Sequence, residues 1–60
     1  MIDVDTLYKR SDTNIIAIFN IIKHRLETED LKPEVRAIFI INHDILLAEI
    51  QRRKIVLENA

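Results

Sequence analysis

The chain has no cysteine, no glycine and no tryptophan, and its only proline is Pro33. Without cysteine, neither a disulfide nor a thiolate–zinc site can supplement the core, and the redox compartment is left open. Without glycine, the phosphate-cradling loops of nucleotide-binding proteins are excluded, and the usual punctuation of strands and turns is missing. Neither sign of charge dominates: nine basic residues face ten acidic ones, for a formal charge of −1. Non-specific polyanion binding usually shows as a strong basic excess, so it is not expected as the main task. Aromatic residues are 5% of the chain, and Tyr8, Phe19 and Phe39 fall in the apolar pattern, which argues against base-stacking platforms. The longest uncharged stretch runs from Thr13 to Ile22, well short of the roughly 20 residues that span a bilayer. The opening MIDVDTLYKR is acidic before it is basic and has no apolar core leading to a small-residue cleavage site. No secretory signal is read there, and a cytoplasmic protein is expected.

What is present is 48% apolar and 32% charged residues, which is not a disorder composition. Residues 1–60 are read as a single helical domain. A domain this small buries only about 60% of the surface its unfolded chain exposes, so the monomer should be marginal and oligomerisation is the remaining common supplement.

Isoleucine is abundant, yet the charges recur at helical and not alternating spacing, and pattern outranks propensity. The first helix is expected over 11–28, with Ser11, Asp12 or Thr13 as N-cap. Its core stripe is Ile15, Ile18, Phe19, Ile22 and Leu26, at i, i+3, i+4, i+7 and i+11. Ile16 and Ile21 flank it. Extended backwards, the stripe passes through Ser11, Tyr8 and Val4, so the N-terminal segment 1–10 either continues this helix or holds a short separate one capped by Asp3. Glu29, Asp30, Leu31 and Lys32 form the turn. Pro33 suits the first position of a second helix, since the N–H it lacks would be unpaired there anyway. Lys32 is a poor N-cap, which Asp30 and Glu34 offset by placing negative charge near the helix N-terminus. The short connection makes the two helices antiparallel neighbours.

The second helix is expected over 33–58. At about 100° per residue, Val35, Ile38, Phe39, Ile45, Leu46, Ile50, Val56 and Leu57 gather on a main face, Ile40 and Leu47 on a second, and Ala37, Ile41, Ala48 and Ile55 on a third. A helix apolar nearly all round is a buried one, and a single partner helix cannot cover three faces. The expected fold is therefore all-α: an antiparallel helical hairpin that dimerises into a four-helix bundle.

Asn42-His43-Asp44 stands in the middle of this apolar helix. His-Asp is the metal dyad of HD-type phosphohydrolases, but the likeness ends at two letters, and on one helix the two side chains diverge by about 100°. Phe39 and Leu47 occupy the positions four residues either side of His43, which removes a two-histidine chelate. His24 with Glu27 at i+3 makes two ligands and no site. The only serine, Ser11, has a cap context and no identifiable base, and a hairpin this small offers little cleft for paired carboxylates. No enzyme, cofactor or metal is expected. Asn42 falls inside the main stripe, where a buried amide can fix register and oligomer state at a cost in stability. Asp44 belongs to the third face, and His43, beside Ile40 and Leu47, could tune an interface near neutral pH. Glu49 and Arg53 interrupt the main stripe in the acid-first i, i+4 order that favours pairing.

Gln51-Arg52-Arg53-Lys54 is a basic run that suits the helix dipole. With Arg36 it would also make a phosphate-contacting patch across a dimer: Arg36, Arg52, Arg53 and Lys54, joined by Lys23 or Arg25 from the second chain. In length and hairpin layout, though in no motif, the chain resembles the dimeric plasmid copy-number regulators, a resemblance that implies binding of paired RNA loops. The leading expectation is a small regulator, inhibitor or adaptor, homodimeric, that contacts an unidentified protein through Ile38, Ile40, Ile41, Asn42, Ile45, Leu47, Glu49, Arg53 and Ile55. The alternatives are an RNA- or DNA-binding dimer and a small structural subunit of a larger assembly. The composition suits a bacterial or phage product.

Overall fold

The computed structural model describes residues 3–56. Among them the chain forms three helices, α1 (Val4–Tyr8), α2 (Asp12–Thr28) and α3 (Pro33–Arg52), and α2 packs along α3. The expected helical hairpin is present, and the open question at the N-terminus resolves to a short separate helix.

Each boundary has a local cause. Asp3 caps α1 by accepting from the Asp5 N–H at 3.1 Å. Of the three candidate caps for α2, Ser11 takes the position, its Oγ accepting from the Asn14 N–H at 3.1 Å. Such a cap satisfies one of the otherwise unpaired N–H groups of the first turn. At the turn Glu29 is extended, and Lys32 stands at the N-cap of α3 without a side-chain hydrogen bond, ahead of Pro33. Arg36 bridges the turn by donating to the Leu26 carbonyl at 3.4 Å.

The C-terminus of α3 departs from the sequence reading. The helix was expected to reach Glu58 but stops at Arg52; Leu57 and Glu58 lie outside the described residues. The Lys54 N–H donates to the Gln51 carbonyl and the Ile55 N–H to the Ile50 carbonyl, while Lys54 takes φ 58°. This paired closure is a Schellman motif, with lysine where glycine is usual. Its customary apolar contact is supplied by Ile55, which packs against the cluster containing Ile50. With no glycine in the chain, nothing in the sequence flagged the stop.

The core consists of Leu7, Ile15, Phe19, Leu46 and Ile50, bordered by Ile18, Ile22, Ile45, Leu47 and Ile55. The α2 stripe expected from periodicity thus faces α3. Its backward extension fails: Leu7 is the buried residue of α1, while Val4 and Tyr8 are exposed. Lys9 to Ser11 break the helix, so α1 does not share the angular phase of α2. The expected main face of α3 is also only half right. Leu46 and Ile50 are buried, Phe39 and Ile45 half-buried, but Val35, Ile38 and Val56 are exposed. None of the residues from Asn20 to Ile45 is buried.

Candidate interaction surface

Two features of α3 carry chemistry, a buried ionic knot near its C-terminus and an uncovered apolar face along its N-terminal half. The knot is centred on Glu49, whose side chain is 3% exposed. Arg52 donates to it through Nε and Nη2, both at 2.7 Å, and Arg53 through Nε. The acid-first spacing of Glu49 and Arg53 therefore does produce an ion pair. Arg53 then reaches across the molecule. Its Nη1 donates to the Arg10 carbonyl and to Asp12 Oδ1, each at 2.8 Å, and its Nη2 to the carbonyls of Leu7 and Tyr8, each at 3.2 Å. These carbonyls belong to the end of α1 and the link to α2, and that of Leu7 also accepts from the Arg10 N–H at 3.1 Å. One guanidinium thus ties all three helices together. Arg52 lies 5.0 Å over the Tyr8 ring, a cation–π contact that adds to the hold on α1.

The electrostatics follow from this geometry. Hydrogen bonds from Arg52, opposed by burial and reinforced by Arg53, hold the Glu49 carboxyl down at about 2, against an ordinary value of 4.5. The Arg52 and Arg53 guanidinium groups are raised in turn, chiefly by their hydrogen bonds to Glu49. A buried carboxylate with three good donor contacts is a stable anion, since hydrogen bonds to the charged form outweigh desolvation.

Apolar side chains stand on both flanks of α3, Ile38, Ile41 and Ile45 on one and Ile40 and Leu47 on the other. Ile38 is 49% exposed, Ile40 44% and Ile41 41%; Ile45 and Leu47 are half-buried and Ala37 and Ala48 exposed. On α2, Ile21 is exposed as well. Single exposed apolar residues are ordinary, but a run of them along one helix is not. Two clefts open beside this face where α1 crosses. One, of about 300 Å³, is floored by Leu7, Ile18, Ile22 and Leu46 and rimmed by Asn42. The other, of about 260 Å³, lies between α1 and α3 and is lined by Val4, Tyr8, Ile45, Ala48 and Arg52 among others.

Of the expected interface residues, Ile38, Ile40, Ile41, Asn42, Ile45 and Leu47 are exposed or half-buried, while Glu49 and Arg53 are enclosed in the knot and Ile55 seals the end of α3. Within one chain the cations of the expected phosphate-contacting group have separate engagements. Arg36 bonds the turn, Arg52 and Arg53 bond Glu49, and Lys54 caps α3. His43 is half-buried, its ring 4.8 Å from that of Phe19, and its Nδ1 lies 3.2 Å from Asp44 Oδ1. Among the described residues no group of three or more His, Cys, Asp or Glu side chains could hold a metal ion, and no helix is long and apolar enough to cross a membrane. What the sequence reading missed is the reach of Arg53 to α1. The only available signal was that an arginine on the main apolar stripe needs acceptors, and the carbonyls that serve are separated from it by more than forty residues. Comparisons with protein-family models, with curated proteins and with solved structures found no match.

Proposed function

We propose that this chain is a small non-enzymatic interaction module, a regulator, inhibitor or adaptor, that works as a dimer of helical hairpins in a four-helix bundle. The observation that carries the proposal is the set of half-exposed isoleucines on α3, Ile38, Ile40 and Ile41, where only five apolar side chains are buried among the described residues. A protein with so small a core gains most from covering such a face with another chain. Covering an isoleucine fully contributes about 1.5–3 kcal/mol, so a few of them rival the stability of a small domain.

The test is the concentration dependence of mass by sedimentation velocity at low and high salt, with an apolar dye as a second readout. Association that persists at high salt, together with dye binding that falls as the chain associates, is expected. A chain that stays monomeric at high concentration and binds no dye has no apolar surface to cover, and overturns the proposal. Association only with added RNA, weakening steeply with salt, would favour the nucleic-acid reading instead.

A further inference from the structure

We propose that the strip Glu34, Ile38, Ile41, Ile45, Ala48 and Arg52 of α3 pairs antiparallel with the same strip of a second copy, about a two-fold axis that passes between Ile41 and Ile45, level with position 43. The pairing rests on the apolar-face reading above and assigns its occupant and its register.

The strip has the spacing of a coiled-coil seam, alternating three and four residues, and occupies an arc of about 80° on α3. It lies on the flank of α3 away from the Phe39 and His43 contacts to α2. Ile38 and Ile41 are 49% and 41% exposed, Ala48 is exposed and Ile45 half-buried. Both charged ends are exposed, the Arg52 side chain at 59%.

The order of residues in the strip is complementary to its own reverse. With the axis at position 43, Glu34 faces the partner's Arg52, Ile38 faces the partner's Ala48, and Ile41 faces the partner's Ile45. Each charge meets its opposite, and each large side chain meets a small one or a near equal. A parallel pairing would set Glu34 against the partner's Glu34 and alanine against alanine, with repulsion at both ends and a void between. An unrelated protein gives no reason for the strip to mirror itself, whereas a second copy does, because a two-fold interface must be self-complementary.

The cleft beside Ala48 fits the same arrangement. It measures about 260 Å³ and is walled by Val4, Tyr8, Ile45 and Arg52, and the partner's Ile38 enters it. That insertion also covers Val4 and Tyr8, which are 43% and 53% exposed. Asp44 comes near the axis, so two carboxylates approach each other there.

The experiment mixes two charge-swap variants of the full chain, Glu34→Arg and Arg52→Glu. Alone, each variant sets like charges against each other at both ends, and its dimer should weaken by about tenfold at low salt, the scale of two exposed ion pairs replaced by repulsions. Mixed one to one, every end pairs opposite charges, and native mass spectrometry should show the heterodimer in excess over either homodimer. Because Arg52 also bonds Glu49, a second pair of variants avoids it. Ile41→Cys and Ile45→Cys, mixed with oxidised glutathione, should cross-link to each other in preference to themselves, and the absence of native cysteine keeps that result clean. A wild-type dimer whose swap variants mix at random and whose cysteines show no preference overturns the pairing and leaves the apolar-face reading standing. A wild-type monomer overturns both.

Discussion

The two ends of the hairpin are made from similar residues and behave differently. At the end where α1 crosses, Leu7, Ile15, Phe19, Leu46 and Ile50 are buried and Glu49 sits among them as a paired anion. Toward the turn, Ile21, Val35, Ile38, Ile40 and Ile41 remain exposed. The cause is the number of helices. Two helices in contact bury only a narrow strip of each other, and a third element closes the groove between them. The five-residue α1, with one core side chain and a set of carbonyls for Arg53, supplies that element at one end. Nothing within the described chain supplies it at the other.

The largest effect should come from the closed end. Leu46→Ala removes a fully buried side chain and should cost about 2–5 kcal/mol, much of the stability of so small a domain. Ile40→Ala, toward the turn, should cost less than about 1 kcal/mol. Urea midpoints measured at one fixed chain concentration check both, and equal losses would erase the distinction between the ends.

Next is the knot. Arg53→Met removes the donors to Leu7, Tyr8, Arg10 and Asp12 while keeping an apolar stem. Amides of α1 should then exchange faster while those of α2 and α3 change little, as read by hydrogen exchange. If α1 stays protected, Leu7 alone holds it.

Acid should act on the same contact. The Glu49 carboxyl is depressed in the folded chain, to about 2 from 4.5. Its contribution to stability is therefore fully present above about pH 4.5 and is lost as the pH falls toward 2. A urea midpoint that declines through that window, with the decline reduced in Glu49→Gln, is expected; an identical decline in the variant would assign the acid sensitivity to other carboxylates.

The smallest effect concerns the end of α3. Lys54 adopts φ 58°, a conformation that costs a residue with a Cβ about 1–2 kcal/mol. Lys54→Gly relieves that cost but loosens the unfolded chain, for a net gain of up to about 1 kcal/mol. A thermal scan that shows a loss instead would mean that the lysine side chain holds something at this corner.

Legibility in the sequence followed the same division. Periodicity located α2 and its inward stripe, because Ile15, Ile18, Phe19, Ile22 and Leu26 repeat at helical spacing. It blurred on α3, where apolar residues go nearly all round and spacing alone cannot rank Ile38 against Leu46. That ranking depends on where α1 lands, and the landing is fixed by a non-local contact between Arg53 and the carbonyls of residues 7, 8 and 10. Asn42, read as a register-setting amide, is half-buried at the rim of a cleft and bordered by exposed isoleucines. The end of α3 was invisible because its stop signal is the Ile55 contact and a lysine in the place of glycine.

The central claim is that the turn end of the hairpin depends on a second copy for its cover, while the core at the α1 end forms without one. Hydrogen exchange of the wild-type chain over a hundredfold range of concentration tests it most directly. Protection of residues 35–45 should rise with concentration and level off, while protection near Leu46 and Ile50 is already present in the dilute chain. Protection of residues 35–45 that does not change with concentration would contradict the account.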